Sequence, residues 1–163
     1  WFHWNDCAPR SERYTHEFKG FGKHRYLDTE PRRQKGRAIS ESDSGEESFP
    51  IPDEALDELS MLLRARCVFA TGDKEYTATS VYGDDIREHH FIVIDRETID
   101  TPMGELDTLV VEKKREEDKE ESRRTLFWVA PEVGYMVVKA RHIESALLHG
   151  ELIMTEYNGP VPE

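Results

Sequence analysis

Between Thr101 and Tyr157 strand-length apolar runs follow one another with only short polar or glycine-bearing breaks: Leu106 to Val111, Leu126 to Val129, Tyr135 to Val138 and Leu147 to Met154. Runs of this length joined by turns specify an antiparallel meander. Leu126-Phe127-Trp128-Val129 is apolar at every position, so this strand should be covered on both faces, whereas a one-sided surface strand would alternate. The expected fold is mainly β within an α+β class: a curved open sheet or partial barrel with one amphipathic helix, about 53–68, packed on it.

That helix is read from Leu56, Leu59, Leu62 and Leu63, which recur at three- and four-residue steps and place an apolar stripe on one face. Asp53 is the expected cap and Gly72 the stop. Upstream, Arg13 to Lys19 and His24 to Thr29 read as a first hairpin around Gly20-Phe21-Gly22. Residues 39–50 carry serines among acids with little to bury, and are expected to be a mobile acidic, Ser-rich loop. After the helix, Glu75 to Tyr82 and Ile86 to Asp95 form another hairpin about Gly83-Asp84-Asp85. Thr101-Pro102-Met103-Gly104 is turn chemistry, because proline fixes one φ and glycine can take a positive one. The charged stretch Lys113 to Arg124 reads as a solvated hairpin tip.

The 163 residues suit a single β-rich domain, 1–163, long enough to bury a sizeable core. No apolar run approaches the roughly 20 residues of a membrane helix, so no transmembrane segment is expected. The chain begins at Trp1, which reads as a start after a removed leader or within a longer polypeptide. Through Ser40, nine Lys/Arg face five Asp/Glu, and from Glu41 thirteen face twenty-nine, giving −12 in all. That field opposes nucleic acid and anionic membranes, and a solvated surface is the simplest reading of the basic run Arg25 to Arg37.

Chemistry-bearing motifs are sparse. Lys19-Gly20-Phe21-Gly22 opens like an RNA-recognition strand, but Lys23, His24 and Arg25 follow where aromatics should stack on bases. No nucleophile elbow and no His-Glu-x-x-His pair occurs, so no catalytic residue, cofactor or enzymatic activity is expected. If the last turn centres on Ser145 and Ala146, His142 falls opposite His149 with Cβ atoms about 5 Å apart, a spacing two metal ligands could share. An ordinary cross-strand pair is the simpler reading, and no metal site is expected. Cys7 and Cys67 match no CxxC pattern, leaving two free thiols or one long-range disulfide.

Taken together, Asp53 to Arg64, Thr101-Pro102-Met103-Gly104-Glu105-Leu106, Arg123-Arg124-Thr125-Leu126-Phe127-Trp128-Val129-Ala130-Pro131, Tyr135 and His142-Ile143-Glu144 resemble the bacterial envelope family called domain of unknown function 3108. The resemblance implies a periplasmic or exported protein and further strands upstream of Trp1, and it carries over no catalytic position. Pro31-Arg32-Arg33 and Met136 depart from the family pattern. With one helix to cover a doubly apolar strand, two functions are expected ahead of a third, an enzyme of unknown reaction that a deep polar cleft with converging ionisable groups would mark. One is a binding module whose groove, lined by Phe127, Trp128, Val129 and Met136, takes a lipid or other hydrophobic small molecule. The other is an assembly module whose sheet edge or open face meets a protein partner or a second copy.

Overall fold

The computed structural model describes residues 2–3, 7–20, 23–82, 85–114 and 123–159. Strands β1 (Phe2–His3) and β2 (Arg10–Ser11) form a two-stranded ribbon. A four-stranded antiparallel sheet runs in chain order through β3 (Tyr14–Gly20), β4 (Lys23–Arg32), β5 (Arg37–Ser42) and β6 (Gly45–Pro50). Helix α1 (Glu58–Ala70) follows. A six-stranded antiparallel sheet closes the chain: β7 (Glu75–Tyr82), β8 (Asp85–Thr101), β9 (Gly104–Lys114), β10 (Arg124–Ala130), β11 (Met136–Ser145) and β12 (Leu148–Ile153). Among the described residues the sheet order does not close on itself, and the fold is mainly β with one α-helix and open sheets. Phe21-Gly22, Gly83-Asp84 and residues 115–122, which include three expected turns or tips, lie outside the described residues.

Two compact units emerge, one of Trp1–Arg64 with Ala78–Glu88 and one of Ala65–Thr77 with His89–Glu163. In the first, Ala38, Ile51, Ala55 and Val81 form a small core with Phe49 against it. Residues 39–50, expected to be a mobile loop, are instead the β5–β6 hairpin, with Ser42 paired to Gly45 and Ala38 to Phe49. Polar side chains are no obstacle here because β4 supplies partners: Ser40 lies opposite Thr29, and their buried hydroxyls are 3.2 Å apart.

The helix begins later than the sequence suggests. Leu56 is not helical; its N–H bonds Thr79 O and its carbonyl accepts from Val81 N, docking it on β7. Asp57, not Asp53, then caps the helix by accepting from the N–H groups of Leu59 and Ser60, both at 2.9 Å. With the start moved, the buried positions within α1 become Ser60, Met61, Ala65 and Phe69, while Leu59, assigned to the stripe, is 63% exposed. The expected stop holds, since Gly72 takes φ 91° after Ala70.

In the second unit the strands follow the meander. Thr101 and Gly104 close the β8–β9 turn with Gly104 at φ 111° and the Thr101 hydroxyl donating to Gly104 O at 2.8 Å. Between β10 and β11, Pro131 opens a single 3-10 turn, and Gly134 (φ 70°) and Tyr135 (φ 58°) take left-handed backbone to bring Tyr135 N back to Ala130 O. Trp128, Val129 and Ala130 are buried in succession, so both faces of this strand are covered.

Candidate functional site

Register places every side chain of interest. Asp95, Val110, Trp128, Lys139 and Ile153 form one row across five strands; Val93, Val111, Phe127, Ala140 and Leu152 form the next. Adjacent rows point to opposite faces. Trp128 therefore joins Ile99, Leu106, Val110, Ala130 and Val138, with Met103, Val133 and Met154 packed around them. Phe127 belongs to an aromatic series on the other face, 6.1 Å from Phe91, which stacks on Tyr76 at 5.8 Å. Hence Phe127 and Trp128 do not line one groove. Val129 is buried and Met136 partly so.

What covers Trp128 is charge held in place. The ring is 4% exposed. Its Nε1–H donates to Glu97 Oε2 at 2.8 Å, while Lys139 Nζ lies 4.8 Å and Arg141 Cζ 5.4 Å from the ring centroid, where the negative π face attracts a cation. Glu151 on β12 fixes both cations, accepting from Arg141 Nε at 2.7 Å and meeting Lys139 Nζ at 3.2 Å. Donation from Arg141 holds the Glu151 carboxyl below the usual carboxylate range. Beside this group, Arg124 Nε donates to Glu112 at 2.7 Å and lowers its carboxyl in the same way. The charged groups of Lys139 and Arg141 thus lie over the indole face, where the sequence left a second layer unassigned.

The histidine pair does not form. The turn falls on Ala146 and Leu147, one residue later than expected, and a bulge between Ile143 and Ser145 leaves a net shift of one residue, so His142 faces Gly150 and His149 faces Ile143. A one-residue shift turns the two rings to opposite faces. His142 instead contacts the Thr125 hydroxyl through Nδ1 at 2.9 Å and Glu144 through Nε2 at 3.2 Å. Among the described residues, no group of three or more His, Cys, Asp or Glu is placed to hold a metal ion. Cys7 and Cys67 are both disulfide-bonded, so the free-thiol alternative does not describe this fold.

The basic run of the first unit is spent on its own chain. Arg33 donates to the carbonyls of Asp53 and Ala55, Arg37 to the hydroxyl and carbonyl of Ser48, and Arg32 to Glu30. The Arg33 bonds brace the turn ahead of the helix.

The feature that stands out most is the outer strand β12, which the sequence reading assigns as a strand without placing it at the sheet's end. Among the described residues it pairs with β11 alone and forms one end of the sheet order. Leu147 is 96% exposed, Leu148 61% and Leu152 76%, with Ile153 also exposed. Its signal in the sequence is the apolar residues on both sides of Gly150, which mark a strand but not its place in the sheet. The sheet's other end is treated differently, since Leu56 bonds to β7 there.

These features define a class: a disulfide-bonded, mainly antiparallel β protein whose described residues form two units and leave an apolar strand at a sheet edge. The chain belongs to the family described as Protein of unknown function (DUF3108), whose match covers residues 1–150. No curated protein and no solved structure is significantly similar to it. No helix among the described residues is long and apolar enough to cross a membrane.

Proposed function

We propose that this protein is a non-enzymatic assembly module of the bacterial cell envelope, exported or periplasmic, that accepts a strand from another polypeptide along β12. The observation that carries this reading is the exposed apolar edge of that strand. Monomeric proteins protect sheet edges with lysine, proline, bulges or a covering element, because open N–H and C=O groups recruit strands. The sequence of β12, Leu-His-Gly-Glu-Leu-Ile, contains neither lysine nor proline. The disulfide-bonded cysteines support an oxidising compartment. A hydrophobic-ligand groove is the less favoured reading, because Phe127 and Trp128 face opposite ways and the charged groups of Lys139 and Arg141 lie over the indole face.

A photoreactive side chain in place of Leu152 tests the proposal in cells. The expected result is a discrete crosslinked adduct that disappears when Ile153→Pro is added. Adducts that are absent, or that persist in the proline variant, would refute it.

A further inference from the structure

We infer that the strand accepted by β12 is β12 of a second copy, paired antiparallel about a two-fold axis through Gly150. This rests on the edge-pairing reading above and names its partner.

The argument starts from backbone direction. Met154 donates its N–H to Val138 O, so Met154 bonds inward to β11. Alternation along a strand then turns the N–H and C=O groups of Ile153, Glu151 and His149 outward, with those of Leu152 and Gly150 inward. In a regular antiparallel pair, opposed residues must both bond across the new seam or both bond away from it. A two-fold axis between residues opposes one of each kind and is excluded. The axis must pass through a residue.

Three central choices remain. An axis through Glu151 sets that carboxylate against its own copy, and like charges directly opposed are destabilising. An axis through His149 opposes the two imidazoles and sets Leu147 against Glu151. An axis through Gly150 sets Leu148 opposite Leu152 twice and His149 opposite Glu151 twice, and it brings Leu147, in the turn that leads into β12, toward Ile153 twice. Both leucines of the strand then meet leucines, and its one acid meets a histidine. At the centre the two glycines meet as a non-hydrogen-bonded pair, the closer of the two pair types. Leu148 and Leu152 lie on the Phe127 side of the sheet, so a four-leucine patch forms there across the seam. One self-complementary patch used twice is the geometry of a two-fold dimer.

A single strand pair buries less than a standard interface, so assembly should depend on concentration. Light scattering on the oxidised chain is expected to show a mass rising from 19.0 kDa toward about twice that value as concentration increases. His149→Glu places two carboxylate pairs across the seam, and Ile153→Pro removes an outward N–H without touching the bonds to β11; each should return the mass to 19.0 kDa. Register is read by a crosslink. A Cβ at position 150 meets no atom within 4 Å, so Gly150→Cys fits. Its Cα should sit about 4.5 Å from its symmetry mate, within disulfide range. Under mild oxidation Gly150→Cys should form a covalent dimer, whereas Leu152→Cys, about 13 Å from its mate, should not.

A monomer mass up to about 1 mM, the weakest association worth naming, overturns the inference. A dimer indifferent to both His149→Glu and Ile153→Pro overturns it as well, and so does crosslinking through Leu152→Cys but not Gly150→Cys. If the chain stays monomeric while the proline-sensitive adduct in cells contains a different protein, this inference fails and the edge-pairing reading stands. Loss of the adduct altogether removes both.

Discussion

Trp128→Ala tests whether the indole is core or lines an open surface. A tryptophan that is almost wholly buried removes about 150 to 250 Å² from water, which at about 25 cal/mol per Å² gives roughly 4 to 6 kcal/mol for the whole residue. Alanine retains a small part of this. Truncations of buried aromatics cost about 3 to 5 kcal/mol. The lower part of that range applies, because the stems of Lys139 and Arg141 can settle into the vacated space, and Glu97, itself exposed, can take water in place of the indole N–H. The expected loss is about 3 kcal/mol, with about 1 kcal/mol for Trp128→Phe, which keeps most of the area and loses the 2.8 Å bond. Urea unfolding of the oxidised protein measures both. With a slope near 2 kcal/mol/M, the alanine midpoint should fall by about 1.5 M. A fall below about 0.5 M for alanine would mean the ring is solvated in solution, and the charged cover inferred from Lys139, Arg141 and Glu151 would be wrong.

Other perturbations report on other parts of the fold. Reducing the disulfide should cost on the order of 4 kcal/mol, because it frees a loop of about 60 residues in the unfolded chain; thermal melts with and without reductant measure this. Asp57→Ala removes the cap of α1 and leaves the buried hydroxyls of Ser11 and Ser60 without their carboxylate, so a loss of about 2 to 3 kcal/mol is expected in denaturant melts. Gly134→Ala should cost about 1 to 2 kcal/mol, since its φ of 70° disfavours any Cβ, and the same melts read it. Asp28 has its carboxyl held below the usual value, first by the Arg13 hydrogen bond and also by Tyr26. A depressed folded-state pKa stabilises fully above the unfolded value and is lost as pH falls through the folded one, so Asp28→Asn should flatten the acid limb below about pH 4 in a pH series of urea midpoints.

The parts of the fold that were legible in the sequence are those fixed locally. Leu126 to Val129 announced a strand covered on both sides, and Thr101-Pro102-Met103-Gly104 carried its turn in its own φ preferences. Features fixed by a distant segment were illegible. Ser40 and Glu41 look like loop until β4 lies beside them, because strand preference follows from neighbours more than from backbone. The Leu56 stripe looked helical because nothing in the sequence says that Thr79 and Val81 will bond its backbone first. His142 and His149 were separated by a bulge in β11, a device that leaves no composition signature. The candidate edge was hidden for a related reason: burial is a property of the sheet order, and an apolar strand reads alike whether it comes last or in the middle.

Glu151 belongs at once to the outermost strand and to the charged cover of Trp128. A strand that docks along β12 sets its own side chains beside this carboxylate, and a cation among them would compete with Lys139 and Arg141 for it. Indole emission is sensitive to nearby charge, so in a variant with Trp1 and Trp4 replaced by Phe the emission of Trp128 would report whether the edge is occupied.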